Sequence, residues 1–161
     1  MKKLPALALI SMTLVLLTNC AVAQPQENGS PITNTLACRN APGALKVLER
    51  GNTGRIDEVI QSLRCYDGSQ AEDAEETLGN LMISHPQAVF SALSKSKVPA
   101  SVIGGIASNP PSRFVDNVCG LLHYLNQRLS AIRSLRDFPR EQDIAIRSIV
   151  KFEKQISVHC R

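Results

Sequence analysis

Four cysteines, Cys38, Cys65, Cys119 and Cys160, constrain this chain more than any other feature. A fifth, Cys20, lies in an N-terminal stretch that has the marks of an export signal. Met1-Lys2-Lys3 is a positive start, residues 4–17 are almost wholly apolar, and Ala21-Val22-Ala23 is a small-residue cleavage site before Gln24. Residues 1–23 therefore read as a cleaved secretory signal peptide of bacterial type, with the periplasm as destination. The apolar run is shorter than the ~20 residues a membrane span needs, so no span is expected. Leu17-Thr18-Asn19-Cys20 offers a second route, a lipoprotein with a lipidated Cys20, although Asn19 departs from the small residue usual there. Either route removes Cys20 from the pairing count. An even set of four in an oxidising compartment reads as two disulfides.

The rest of the chain sets what those disulfides join. Residues 24–37 are polar and rich in Pro, Asn and Ser, and are expected to form a flexible leader. Residues 38–161 carry helix signals and no strand-like alternation. The expected class is all-α: a single domain of about seven helices, built of short antiparallel pairs like an irregular α-solenoid and closed by a long C-terminal helical hairpin. The first helix is expected over 41–50, with Asn40 as N-cap, Pro42 in the first turn and Gly51 at the stop. The second is expected over 54–64, capped by Thr53, with Ile56, Val59, Ile60 and Leu63 on one stripe. Ser69 to Glu72 reads as a capping box opening a third helix that buries Ala74, Leu78, Leu81 and Met82. Pro86 starts a fourth with Val89, Phe90 and Leu93. Pro99 opens a short fifth with Val102, Ile103 and Ile106, whose Gly104-Gly105 pair suggests close helix packing. The sixth is expected over 112–136, with Phe114, Val118, Leu121, Leu122, Leu125, Leu129 and Ile132 inward. After a corner at 137–139 the seventh runs to about His159 and buries Ala145, Ile149, Phe152 and Ile156.

Hairpin symmetry assigns the cysteine partners. Residues equidistant from the turn of an antiparallel helix pair face each other. Cys38 and Cys65 are equidistant from the turn at Gly51-Asn52, and Cys119 and Cys160 are nearly so from Phe138. The expected bonds are Cys38–Cys65 and Cys119–Cys160, one of three possible pairings.

Catalytic signatures are missing from the sequence. All four cysteines have a structural role, and a disulfide sulfur is no nucleophile. His85, His123 and His159 are isolated in sequence, so no metal and no cofactor is expected. Glu72, Asp73, Glu75 and Glu76 read as a solvated, dipole-favoured helix start rather than an acid/base set. No serine-hydrolase elbow, phosphate loop or zinc-protease helix occurs. Aromatics are only 4% of residues, too few for a sugar-binding or base-stacking surface. Arg128, Arg133, Arg136, Arg140 and Arg147 are spread along both long helices, which argues against a nucleic-acid patch.

Charge points to a protein partner instead. Residues 24–80 hold 5 basic and 9 acidic side chains, and residues 81–161 hold 11 and 5. A two-ended molecule of this kind suits a steered protein partner. Strict alternation of antiparallel helices would gather the loops at 66–69, 94–97 and 137–139 at one end. Asp67, Ser69, Lys95, Ser96 and Lys97 are the expected contact residues there. A bacterial signal peptide, a small all-helical body and two disulfides together resemble the periplasmic immunity proteins that neutralise type VI secretion peptidoglycan amidase effectors. The resemblance is one of layout and carries no motif. It implies a non-catalytic inhibitor that docks on a toxin's active cleft, with homodimerisation as an option. Two other readings stand beside it: a structural or accessory protein of an envelope complex, and an enzyme whose site is assembled in space from the histidines.

Overall fold

The computed structural model describes residues 36–114 and 116–160. The expected signal peptide, Cys20 and residues 24–35 of the expected leader lie outside the described residues, and Leu36 and Ala37, read as the end of that leader, open the first helix. Among the described residues, seven α-helices account for the architecture: α1 (Leu36–Glu49), α2 (Ile56–Gln61), α3 (Gly68–Ser84), α4 (Pro86–Lys95), α5 (Ala100–Ser108), α6 (Val118–Arg133) and α7 (Pro139–Ile156). Short 3₁₀ turns flank α2, precede α6 and follow α7. No strand occurs among the described residues. The all-α class, the seven helices and both disulfides are as the sequence implies: Cys38 bonds Cys65 and Cys119 bonds Cys160, with Cα atoms 5.2 and 5.4 Å apart.

The stripes form one core. Leu45, Leu48, Ile56, Val59, Ile60, Leu78, Met82, Val89, Phe90, Leu93, Ile103, Ile106, Leu121, Leu125, Leu129, Ile132 and Ile149 are all buried. α3 packs directly against both α4 and α5. Gly104 takes α5 close to α7, since a Cβ there would stand 2.6 Å from Ser148 Oγ. Close packing thus explains the first glycine of the pair.

Helix starts depart from the sequence reading. α1 begins at Leu36, so Asn40 is no cap and Pro42 lies inside the helix. Long-range partners hold the turn ahead of Pro42: the bond from Cys38 to Cys65, and Tyr66 Oη donating to the Ala41 carbonyl at 2.9 Å. The Tyr66 phenol is pushed up to about 12, first by burial and then by Glu58 and Glu49. The stop is as read. Gly51 sits at φ +91°, with its amide on the Leu48 carbonyl and the Asn52 amide on that of Val47, a Schellman motif. Asn52, not Thr53, caps the 3₁₀ turn that leads into α2, accepting from the Gly54 amide at 3.1 Å. The helix read over 54–64 is divided: a six-residue α2 lies between two 3₁₀ turns.

The capping box at Ser69 does not form. α3 starts one residue earlier, at Gly68 (φ +42°), and the Asp67 carbonyl accepts from the Gln70 and Ala71 amides. The acidic residues therefore fall beyond the first turn; Glu72 and Asp73 are exposed as read, and Glu75 and Glu76 are partly buried. Glu76 accepts the Ser112 amide at 3.0 Å, and Glu75 is half-buried. The helix read over 112–136 is shorter as well. Residues 112–114 form a 3₁₀ turn, and α6 begins at Val118, where Asn117 accepts from the Gly120 amide at 2.8 Å.

That longer entry to α6 breaks the simple alternation of loops. The 137–139 corner packs beside the start of α4, where Gln87 donates to Asp137 at 3.1 Å and Phe90 meets Phe138. It is not at the 94–97 end. Gln142 of α7 donates to the Ile132 and Leu135 carbonyls at 2.8 and 2.9 Å, closing the C-terminus of α6.

The largest departure is Arg128. It is fully buried, not one of a series of surface arginines. Nη1 donates to the carbonyls of Ile106 (3.3 Å), Ala107 (2.6 Å) and Asn109 (3.3 Å), and Nη2 to Tyr124 Oη at 2.7 Å. Tyr124 in turn donates to Asn80 Oδ1. One guanidinium thus closes the C-terminus of α5, where the helix dipole favours a cation, and ties α3, α5 and α6 together. Burial pushes its pKa down, opposed by Tyr124, but an arginine stays charged in a protein.

Candidate functional site

A groove of about 800 Å³ opens between α2, α3 and the α4–α5 turn. Its floor is apolar: Ile60, Leu63, Ala71, Val98, Pro99 and Val102. Its polar lining is Gln61, Arg64, Glu75, Lys95 and Ser96. Few convergent polar groups on an apolar floor, at this volume, is the usual make-up of a binding site.

Each wall is fixed by a local device. One wall is the 3₁₀ turn Leu63–Cys65, fastened to α1 through the Cys38–Cys65 bond. The other is the end of α4, which closes in a second Schellman motif. The Lys97 amide meets the Ser94 carbonyl at 3.1 Å, and the Val98 amide meets that of Leu93 at 3.2 Å. Lys97 takes the left-handed position at φ +49°, where glycine is usual. Buried Val98 and Leu93 supply the apolar contact typical of that motif.

Two of the five residues expected to contact a partner, Lys95 and Ser96, line this groove. Asp67, Ser69 and Lys97 are exposed and outside the lining. Lys95 is committed to Asp57 at 2.9 Å across the rim. Both partners are well exposed, so the pair contributes at most about 1 kcal/mol. Glu75 was missed as a groove residue. The signal for it was its place beside Ala71, Ala74 and Leu78 on the inward side of α3.

Glu75 is the one carboxylate lining the groove. Burial pushes its pKa up, and Glu72 adds to the rise. It makes no ion pair and no hydrogen bond among the described residues. It lies against α5 where that helix has no side chain: a Cβ on Gly105 would stand 3.3 Å from its Oε1. Such a carboxyl takes up a proton on folding. Its charge therefore opposes the fold above the folded pKa, and the penalty fades as pH falls toward the ordinary carboxyl range. Glu75→Gln is expected to raise the thermal midpoint near neutral pH, with the gain vanishing in acid. Melting curves across pH check this, and an equal gain at every pH would refute it.

The histidines have local partners. His85 Nδ1 lies 2.9 Å from Ser84 Oγ, and His123 Nε2 lies 3.0 Å from Gln127 Nε2. The side chain of His159 is outside the described set. No cluster of three metal-ligating side chains occurs among the described residues, and no helix among them is long and apolar enough to cross a membrane. No family model, no curated protein and no solved structure matches the chain.

Proposed function

We propose that this chain is a periplasmic helical binding protein, and that it serves as a non-catalytic inhibitor or immunity protein against a cell-wall-degrading toxin. The observation that carries the binding reading is the groove: an apolar floor between two walls, each locked by its own motif, with polar groups on the rim. A frame that is ordered before association loses less entropy on docking, which raises affinity without added area. Two disulfides fit an oxidising compartment outside the cytosol. The layout likeness to amidase-neutralising immunity proteins supplies the class of partner.

The test is neutralisation in the compartment itself. The full-length chain is co-expressed with the hydrolases encoded beside it, each directed to the periplasm, and lysis is followed by turbidity. The expected result is protection, together with stoichiometric inhibition of peptidoglycan cleavage by the purified pair. Undiminished lysis, or the lack of any hydrolase gene beside this one, overturns the proposal. Recovery of the chain solely within an envelope assembly would favour the accessory role.

A further inference from the structure

The Glu75 side chain is half-buried in the groove wall and forms no ion pair among the described residues. Buried or half-buried charges are ordinarily paired, because desolvation is otherwise uncompensated. Two cations, Arg64 and Lys95, line the same groove, yet neither forms an ion pair with Glu75, and its charged neighbour Glu72 is of the same sign. The Lys95 ammonium is held by Asp57. The carboxylate itself lies against the bare backbone of Gly105, where a Cβ would stand 3.3 Å from its Oε1. The same groove is lined by Leu63, Val98 and Val102, which suit an alkyl stem.

We propose that the groove receives a lysine or arginine side chain of a protein partner, its cationic head on Glu75 and its stem along Leu63, Val98 and Val102. This deepens the binding-protein reading and rests on it. Long basic side chains suit the site because their stems cover apolar surface while the head reaches a charge. A partner acid would meet Glu75 with repulsion. A purely apolar side chain would desolvate the carboxylate further with nothing in return. The partner segment is therefore one that presents a cation beside aliphatic residues.

The experiment uses n-hexylammonium as the probe, with n-hexanoate and n-hexanol as matched comparisons. Methyl resonances of Leu63, Val98 and Val102 are followed during titration of the full chain. Hexylammonium is expected to give saturable shifts and to bind roughly ten-fold or more tighter than hexanol, as one charge-assisted contact implies. Hexanoate is expected to bind weakest. Glu75→Gln, which keeps the fold, should reduce hexylammonium to the hexanol level. Arg64→Gln should leave it as tight or tighter, because a nearby like charge is removed. Hexanoate binding as well as hexylammonium, or an unchanged affinity in Glu75→Gln, overturns the proposal. Cation binding with failed neutralisation would sink the inhibitor reading alone. Neutralisation with no cation preference would sink this inference alone.

Discussion

Replacing Arg128 with methionine is expected to cost about 3–5 kcal/mol of stability. The side chain is fully buried and donates to three carbonyls around the end of α5 and to the Tyr124 hydroxyl. Methionine fills most of the volume but donates nothing, so the buried Ile106 and Ala107 carbonyls and the part-buried Asn109 carbonyl lose their donor. Each unsatisfied buried group costs about 1–3 kcal/mol, and the apolar replacement returns part of the sum. Lysine is no rescue, since a single ammonium cannot span positions that a planar fork serves together. Gly79 sharpens the test. A Cβ there would stand 2.6 Å from Nη2, 2.9 Å from Cζ and 3.0 Å from the Ile106 carbonyl. Gly79→Ala should therefore destabilise the parent strongly and the Arg128→Met protein less, the remaining cost coming from the Ile106 carbonyl, a non-additive pair. Urea unfolding of the four proteins measures both effects. A loss below about 1 kcal/mol for Arg128→Met would show that the guanidinium network is dispensable.

Arg128 also shows how far the sequence reaches and where it stops. Helix existence and the inward faces follow from spacing, because every turn of a helix repeats the same geometry. The stripe Leu121, Leu125, Leu129 and Ile132 is buried as read. That stripe also runs through Tyr124 and Arg128, so the position of Arg128 was legible while its chemistry argued the other way. A polar residue on an apolar stripe is the signal, and Glu75 on α3 repeats it. Hairpin symmetry read both disulfides because it depends only on chain lengths either side of a turn. Caps were harder. Asn40, Thr53 and Ser69 each have capping chemistry, but Tyr66, Asn52 and Asp67 decide the local geometry. The groove is assembled from α2, α3 and the α4–α5 turn, so no local pattern contains it. Lys95 and Ser96 were within reach because they lie on a turn, whereas Glu75 needed the packing of α5 against α3.

Removing the Cys38–Cys65 bond, as Cys38→Ser/Cys65→Ser, is expected to lower stability by about 3–4 kcal/mol and the melting midpoint by roughly 10–20 °C. The sequence separations are 27 for this bond and 41 for Cys119–Cys160. The chain-entropy model converts these to about 3.6 and 3.9 kcal/mol, so loop length barely distinguishes them. Their surroundings do. Cys119 is exposed at the first turn of α6, and Cys160 comes after exposed Ser157 and Val158. Loss of that bond should fray the open end of the last hairpin and leave the core in place. Cys65 packs against the core and stands in a groove wall, opposite α1. Its loss should therefore loosen Leu63 and Arg64 as well as the unfolded chain. Two readouts separate the bonds: non-reducing thermal melts of the two serine pairs, and hexylammonium binding by each. Comparable midpoint losses with binding weakened only in the Cys38/Cys65 pair would tie this staple to the groove. Equal binding in both pairs would mean that the core alone holds the wall in place.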